Sequence, residues 1–243
     1  SVQANIPDWL LHEWIDCYGL SEAAQIAEAL LIEAPLDISV RDESLKVNTA
    51  KALEATILPT GSLRRPSGGQ ITHLSGFDEG QWWVQDAAAA LPALFFHDIQ
   101  GKTVVDLCAA PGGKTAQLAA RGAHVMAVDR SAKRLQKLQE NMVRLQLSKR
   151  VHIVVGDGTE WQPQEPVDFI LLDAPCSATG TIRRHPDVMY LKSLQDLDRL
   201  CDIQSRLLEN AAKMLRNGGH LIYCTCSLQK SCLLYTSPSP RDA

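Results

Sequence analysis

Hydrophobic positions along the chain change their period twice. Residues 8 to 33 carry apolar side chains three or four residues apart: Trp9, Leu10, Trp14 and Ile15, then Ala23, Ile26, Ala27, Leu30 and Leu31. That spacing predicts a helical N-terminal segment over 1–35, ended by Pro35. From 36 to 75 the pattern is short and mixed. LDISV and ATILP read as short strands, a helix is expected around 47–55, and GSLRRPSGG reads as a loop. This predicts a small α/β subdomain.

From about residue 81, continuous apolar runs alternate with amphipathic stretches. TVVDL (103–107), HVMAVD (124–129), VHIVV (151–155), VDFILLD (167–173) and HLIYCTC (220–226) are the expected strands. Between the second and third, Ala132, Leu135, Leu138, Met142 and Leu145 form a helical stripe behind Ser131, which suits an N-cap. Between the fourth and fifth, Leu197, Leu200, Ile203, Leu207 and Met214 form another, with Asn217-Gly218-Gly219 as its stop. Strands apolar throughout are covered on both faces. The expected fold class is therefore α/β, a Rossmann-like parallel sheet over 76–229 behind the smaller subdomain.

Composition narrows the function classes. The 243 residues are 45% hydrophobic and 21% charged, enough for one large domain and an appendage. No run approaches the roughly 18 apolar residues that span a bilayer, and no secretory leader is expected from the opening residues. No membrane association is expected. The first residue is Ser1 rather than Met, so the natural start is expected upstream. A net charge of −4 gives no general attraction to nucleic acid, which leaves local patches such as Arg64-Arg65 and Arg183-Arg184. Seven scattered cysteines suit a reducing, cytoplasmic setting rather than a disulfide scaffold. After about residue 230 the sequence loses periodicity and reads SPSPRDA, so 230–243 is set aside as a non-native tail.

Ligands of open parallel sheets bind beyond the carboxyl ends of the strands. The first strand ends in DLCAAPGGKT, a turn of small residues whose backbone can approach a ligand closely. It is not a phosphate-binding P-loop, because Cys108 stands where that pattern needs Gly, and it lacks the GxGxxG of a dinucleotide oxidoreductase. Asp129 closes the second strand, Asp157 follows the third, and Asp173 ends the fourth. Any one of them alone could simply cap the next helix. Three in register with a Gly-rich turn describe a nucleoside pocket.

DLCAAPGGKT, AVDRSAKRL, GDG, DAPCSATG and YCTCSL, in that order, resemble the motifs of RNA cytosine-5 methyltransferases that use S-adenosylmethionine. WWVQDAAA and TIRRHPD narrow the resemblance to the bacterial 16S ribosomal RNA members of the Sun/Fmu type, over roughly residues 5 to 229. The resemblance implies an S-adenosylmethionine pocket made by Cys108, Ala109, Ala110, Pro111, Gly112, Gly113 and Lys114 with Asp129, Asp157 and Asp173. It implies an RNA-recognition-like subdomain before the catalytic sheet, and RNA, most of all ribosomal RNA, as partner. Members often carry a NusB-like domain upstream of the matched region. Their catalytic fold continues past the fifth strand into a helix and an antiparallel strand pair, so this chain is expected to be poorly stable and inactive.

The same resemblance assigns the chemistry. Cytosine C5 is too weak a nucleophile to take a methyl group directly, and a thiolate added at C6 activates it. Cys226 in TCS is then the nucleophile, Cys176 in PCS assists breakdown of the adduct, and Asp173 and Lys114 contact the base. The base must be unstacked to be reached. Four others read as packing: Cys17, Cys201 and Cys224 in elements, Cys108 in the turn. Cys224 and Cys226 would alternate on one strand and face opposite ways. No metal is expected, since neither C-x-C nor the lone Cys176 has zinc spacing. His185 reads as structural or RNA-contacting. A monomer is expected. The alternatives are the same chemistry on transfer RNA, or a noncatalytic RNA-binding assembly factor that keeps the fold.

Overall fold

The computed structural model describes residues 6–66, 69–230 and 232; of the set-aside tail, only Lys230 and Cys232 fall among them. The chain forms two compact units. One comprises Ser1–Ala34, Ala174–Leu208 and Thr225–Ala243; the other comprises Pro35–Asp173 and Glu209–Cys224.

In the first unit, α1 (Asp8–Tyr18) and α2 (Leu20–Ala29) bury Leu10, Trp14, Ala23 and Ala27 around Ile182. The pattern predicts one helical segment, but Gly19 divides it. Its φ of +83° with ψ of 162° is a conformation glycine adopts and other residues avoid, so the helical ladder restarts there. Tyr18 donates to the Leu228 carbonyl at 2.6 Å, and Arg183 donates to the carbonyls of Ile32 and Glu33. The N-terminal segment thus packs with the loops that carry Cys176 and Cys226 and is not a separate module.

The second unit opens with an antiparallel sheet of β1 (Leu36–Val40), β2 (Thr56–Ile57), β3 (Leu63–Arg65) and β4 (Trp82–Val84), with α3 (Lys46–Ala52) between β1 and β2. Two sequence expectations change here. The stretch read as a loop supplies β3, and the sheet takes its last strand from WWVQD, beyond residue 75. An ion pair between an exposed arginine and a buried carboxylate accounts for β3. Asp37, fully buried on β1, holds the Arg64 guanidinium through both oxygens at 2.7 Å. The same carboxylate accepts the Ala87 N–H at 3.0 Å, tying the small sheet to the start of α4 (Ala87–Leu94).

Beyond α4 the chain alternates through β5 (Thr103–Leu107), α5 (Gly113–Ala120), β6 (His124–Asp129), α6 (Ala132–Arg144), β7 (Val151–Val155), β8 (Val167–Asp173), α7 (Leu194–Met214) and β9 (Leu215–Cys224). The five strands are parallel in the order β7-β6-β5-β8-β9, so connections leave in opposite directions on either side of the β5/β8 junction. Val104, Leu107, Val125 and Leu171 are buried in this sheet. Ser131 caps α6 by accepting the Arg134 N–H, and Leu135, Leu138, Met142 and Leu145 are buried as the stripe predicts; Ala132 is exposed. Arg144, 4.0 Å over the Phe77 ring, donates to the carbonyls of Phe77 and Trp82 and joins α6 to the small sheet.

Two predicted features at β9 are corrected. Helix α7 stops at Met214 rather than at Asn217-Gly218-Gly219, because Leu215 already pairs with Val167. The register then shifts before His220 pairs with Phe169, and Gly218, at φ +80°, lies in that irregularity. At the other end the strand stops at Cys224, opposite Asp173, and not at Cys226. The partner strand runs into Ala174-Pro175, and proline has no N–H with which to continue the ladder. Cys226 therefore lies in a loop, and the alternation expected to point it away from Cys224 does not apply.

Candidate functional site

The carboxyl ends of β5, β6, β8 and β9 gather most of the residues expected for the cofactor. After β5 the backbone turns through Cys108 at φ +62°, a cis Ala110–Pro111 bond and Gly112 at φ +103°, and α5 starts at Gly113. Gly112 is required twice over. Besides its φ, an added Cβ would sit 2.6 Å from Leu138 Cγ, so the turn lies directly against α6. Asp129, nearly buried, accepts the Ala110 N–H through one oxygen and the Ser131 N–H through the other, with Arg134 at 3.6 Å. Arg134 also donates to the Ala110 carbonyl. The carboxylate thus clasps the Gly-rich turn to the start of α6.

Lys114 reaches across to Asp173 at 2.8 Å. Burial disfavours its ammonium, but Asp173, then Cys224 and Asp106, outweigh this and raise its pKa, so it stays charged. The Cys108 thiol is pushed up to about 12 by burial and by the surrounding aspartates, which keeps it protonated and inert. Asp157 is different. It is exposed, and its Oδ1 accepts the N–H and hydroxyl of Thr159 at 2.9 and 2.7 Å, the turn-capping arrangement.

Two residues of this cluster escaped the sequence reading. Cys224, read as packing, places its sulfur 3.6 Å from Asp173 Oδ1, and burial together with Asp173 raises its pKa. Asp106 is fully buried near the end of β5. One oxygen accepts from Thr115 at 2.6 Å, the other has no hydrogen-bond partner among the described residues, and burial pushes the group up to about 7. The available signal was an acid inside the otherwise apolar run TVVDL.

The other unit holds the thiol pair. Cys176 Sγ and Cys226 Sγ lie 3.5 Å apart; Cys176 is buried and Cys226 exposed. The Gly180 N–H donates to the Cys226 carbonyl at 2.8 Å, an approach that leaves no room for a Cβ at Gly180. The hydrogen bond to Cys226, then burial, hold the Cys176 pKa well above the usual thiol range. Cys176 is therefore a neutral thiol beside an exposed one. In sequence, Cys176 comes three residues after Asp173, and Cys226 two after Cys224. Among the described residues, no group of three or more His, Cys, Asp or Glu side chains could hold a metal ion, and no helix is long and apolar enough to cross a membrane.

Residues 93–231 match the family described as 16S rRNA methyltransferase RsmB/F. The chain belongs to this family. Over 235 residues it is 39% identical to ribosomal RNA small subunit methyltransferase B of Yersinia pseudotuberculosis, an alignment covering 91% of this chain and 54% of that one. The chain thus spans about half the length of the curated RsmB/F relatives it matches. Among solved structures, PH0851 superposes with a TM-score of 0.86 at 29% identity, covering 93% of this chain and 54% of that one. A methyltransferase homolog protein from Pyrococcus horikoshii gives 0.73 at 28% identity, with coverages of 91% and 73%. The fold is the Rossmann-like parallel sheet shared with these two solved structures.

Proposed function

We propose that this chain is the catalytic part of an enzyme that methylates C5 of a cytidine in RNA, 16S ribosomal RNA being the substrate its family favours, in the cytoplasm where that RNA is made. The observation that carries the reading is the pair of thiols 3.5 Å apart, one exposed and one buried. A pair intended for packing would be buried on both sides. Transfer RNA would engage the same chemistry and is separated only by assay.

S-adenosylmethionine, when bound, supplies an electrophilic methyl group. The donor set at the strand ends fits it. Asp129 closes β6, where a carboxylate can take ribose hydroxyls, and the acids Asp106 and Asp173 suit a cationic sulfonium and ammonium. One oxygen of Asp106 is buried with no hydrogen-bond partner among the described residues, so it suits a polar group of a ligand. Replacing Asp129 by alanine is expected to weaken binding about 10- to 150-fold, roughly 1.5 to 3 kcal/mol for a charge-assisted hydrogen bond. Calorimetry with S-adenosylhomocysteine checks this, and an unchanged affinity places the ribose elsewhere.

Cys226 forms a bond to cytosine C6, and the ring electrons displaced from the 5,6 double bond make C5 nucleophilic. After C5 is methylated, its proton passes to solvent, the C5–H electron pair re-forms the 5,6 double bond, and Cys226 leaves C6 with the C–S pair as a thiolate. Lys114 and Asp173 hold the base and balance the charge that develops on it. Cys176, the neutral thiol at the adduct sulfur, assists release. Cys176→Ala is expected to lower turnover by about 10²- to 10⁴-fold, the range for losing a positioned proton donor or acceptor. It should also leave a covalent protein–RNA band on a denaturing gel. A variant that binds RNA, turns over slowly and shows no such band contradicts the assignment.

A further inference from the structure

Behind the thiols lies a buried polar cluster that the chemistry above does not use. Ser177 and Thr179 follow Cys176, and Ser227 and Gln229 follow Cys226. Ser177 and Thr179 are fully buried and Gln229 is 1% exposed. Three hydroxyls converge on one amide oxygen. Gln229 Oε1 accepts from Ser177 at 2.5 Å, from Thr179 at 2.7 Å and from Ser227 at 2.9 Å. The Ser177 and Ser227 hydroxyls are themselves 2.7 Å apart. The backbone joins in: Leu228 N–H donates to Thr179 Oγ1 at 2.9 Å, and Gln229 N–H donates to Ser227 Oγ at 3.0 Å.

Each half of this cluster belongs to a different cysteine. The two loops leave different strands and are about 50 residues apart in sequence, and a thiol–thiol contact is too weak to fix their spacing. The hydroxyl cluster can do so. Sliding one loop past the other would leave several buried hydroxyls unpaired at about 1–3 kcal/mol each, so the arrangement has one register. Packing alone does not explain the glutamine, because its Nε2 is buried with no hydrogen-bond partner among the described residues. A methionine of similar shape would avoid that cost but would leave three hydroxyls without their common acceptor, so what the glutamine contributes is the gathering of those hydroxyls.

We propose that Gln229, through Ser177, Thr179 and Ser227, is a positioning residue that sets the distance between the Cys176 and Cys226 thiols. The role in methyl transfer rests on the functional reading above; the geometric role does not. The test uses the full-length protein with Gln229→Met, Thr179→Val and Thr179→Ser, the last keeping the hydroxyl. Two quantities are read: kcat and KM for RNA methylation, and affinity for phenylarsine oxide, which must bridge two neighbouring thiols. The bridging signal is assigned to this pair by its loss in Cys176→Ser.

Gln229→Met and Thr179→Val should lower kcat about 10- to 100-fold, as for a misplacement near 1 Å, with KM close to the parent; the thermal midpoint should fall in Gln229→Met, which leaves three hydroxyls without their acceptor. Both should weaken arsenical binding about tenfold or more through a lower effective concentration of the second thiol. Thr179→Ser should restore both. Unchanged arsenical affinity in Gln229→Met and Thr179→Val, or an equal loss in Thr179→Ser, overturns the proposal. If Gln229→Met does not fold, the two Thr179 variants decide. Should the arsenical pattern hold while no protein, parent included, transfers methyl groups, the positioning role stands and the functional reading falls.

Discussion

Replacing Cys226 by alanine is expected to abolish methyl transfer while leaving S-adenosylhomocysteine affinity unchanged. Cys226 is the exposed member of the thiol pair, and the Gly180 N–H pins its carbonyl, so the sulfur is both accessible and held. Without it no bond to C6 can form, and C5 remains too weak a nucleophile. A fall of at least about 10³-fold, or about 4 kcal/mol of transition-state stabilisation, is the expected scale. Affinity is spared because the groups that fit the cofactor stand at the strand ends around Asp129 and Asp173. Tritium transfer to RNA measures the first quantity and calorimetry the second. Turnover within tenfold of the parent removes Cys226 from the nucleophile's role. If the two roles were exchanged, Cys226→Ala would trap an adduct and Cys176→Ala would not; the burial of Cys176 and its neutral state argue against that exchange.

The central strands were legible because burial on both faces leaves a simple trace; edge strand β7, with His152 and Val155 exposed, was legible from its apolar run alone. TVVDL, HVMAVD, VHIVV and VDFILLD match β5 to β8 in both ends, since continuous apolar runs admit few other readings. The α6 start was legible for a similar reason, Ser131 being the one good cap before the stripe. The failures lie where tertiary contacts decide. Arg64 reads as a solvated loop residue until Asp37 is known to be buried beside it. The true end of β9 depends on Pro175, about 50 residues earlier and two residues past the end of the neighbouring strand. Ser177, Thr179, Ser227 and Gln229 look like ordinary turn residues, because only convergence in space distinguishes a buried hydroxyl from a hydrated one. Both expected thiols were named from their motifs, but their 3.5 Å contact is a property of the fold.

Asp106 gives the largest expected effect on stability, and its sign follows from burial. Its folded pKa of about 7 lies above the 3.8 of an exposed aspartate; burial is the main cause, Asp173 and Asp129 add to it, and the Thr115 hydrogen bond and Lys114 oppose it. Below about pH 4 the group is neutral in both states and costs nothing. Between about 4 and 7 the unfolded chain ionises while the folded one holds its proton, so stability is lost as pH rises. Above about 7 the full loss has accrued, on the order of 4 kcal/mol at 1.36 kcal/mol per pKa unit. Asp106→Asn keeps an acceptor for Thr115 and cannot ionise. Relative to the parent it should gain about 1.4 kcal/mol per pH unit between pH 5 and 7, then level off. Urea unfolding of both full-length proteins without cofactor, at pH 5, 6, 7 and 8, isolates this difference from all other titrating groups. A difference that does not change with pH would show that Asp106 is ionised in the folded protein throughout. The cation-binding reading of the strand ends would then start from a standing negative charge instead of a proton to be displaced.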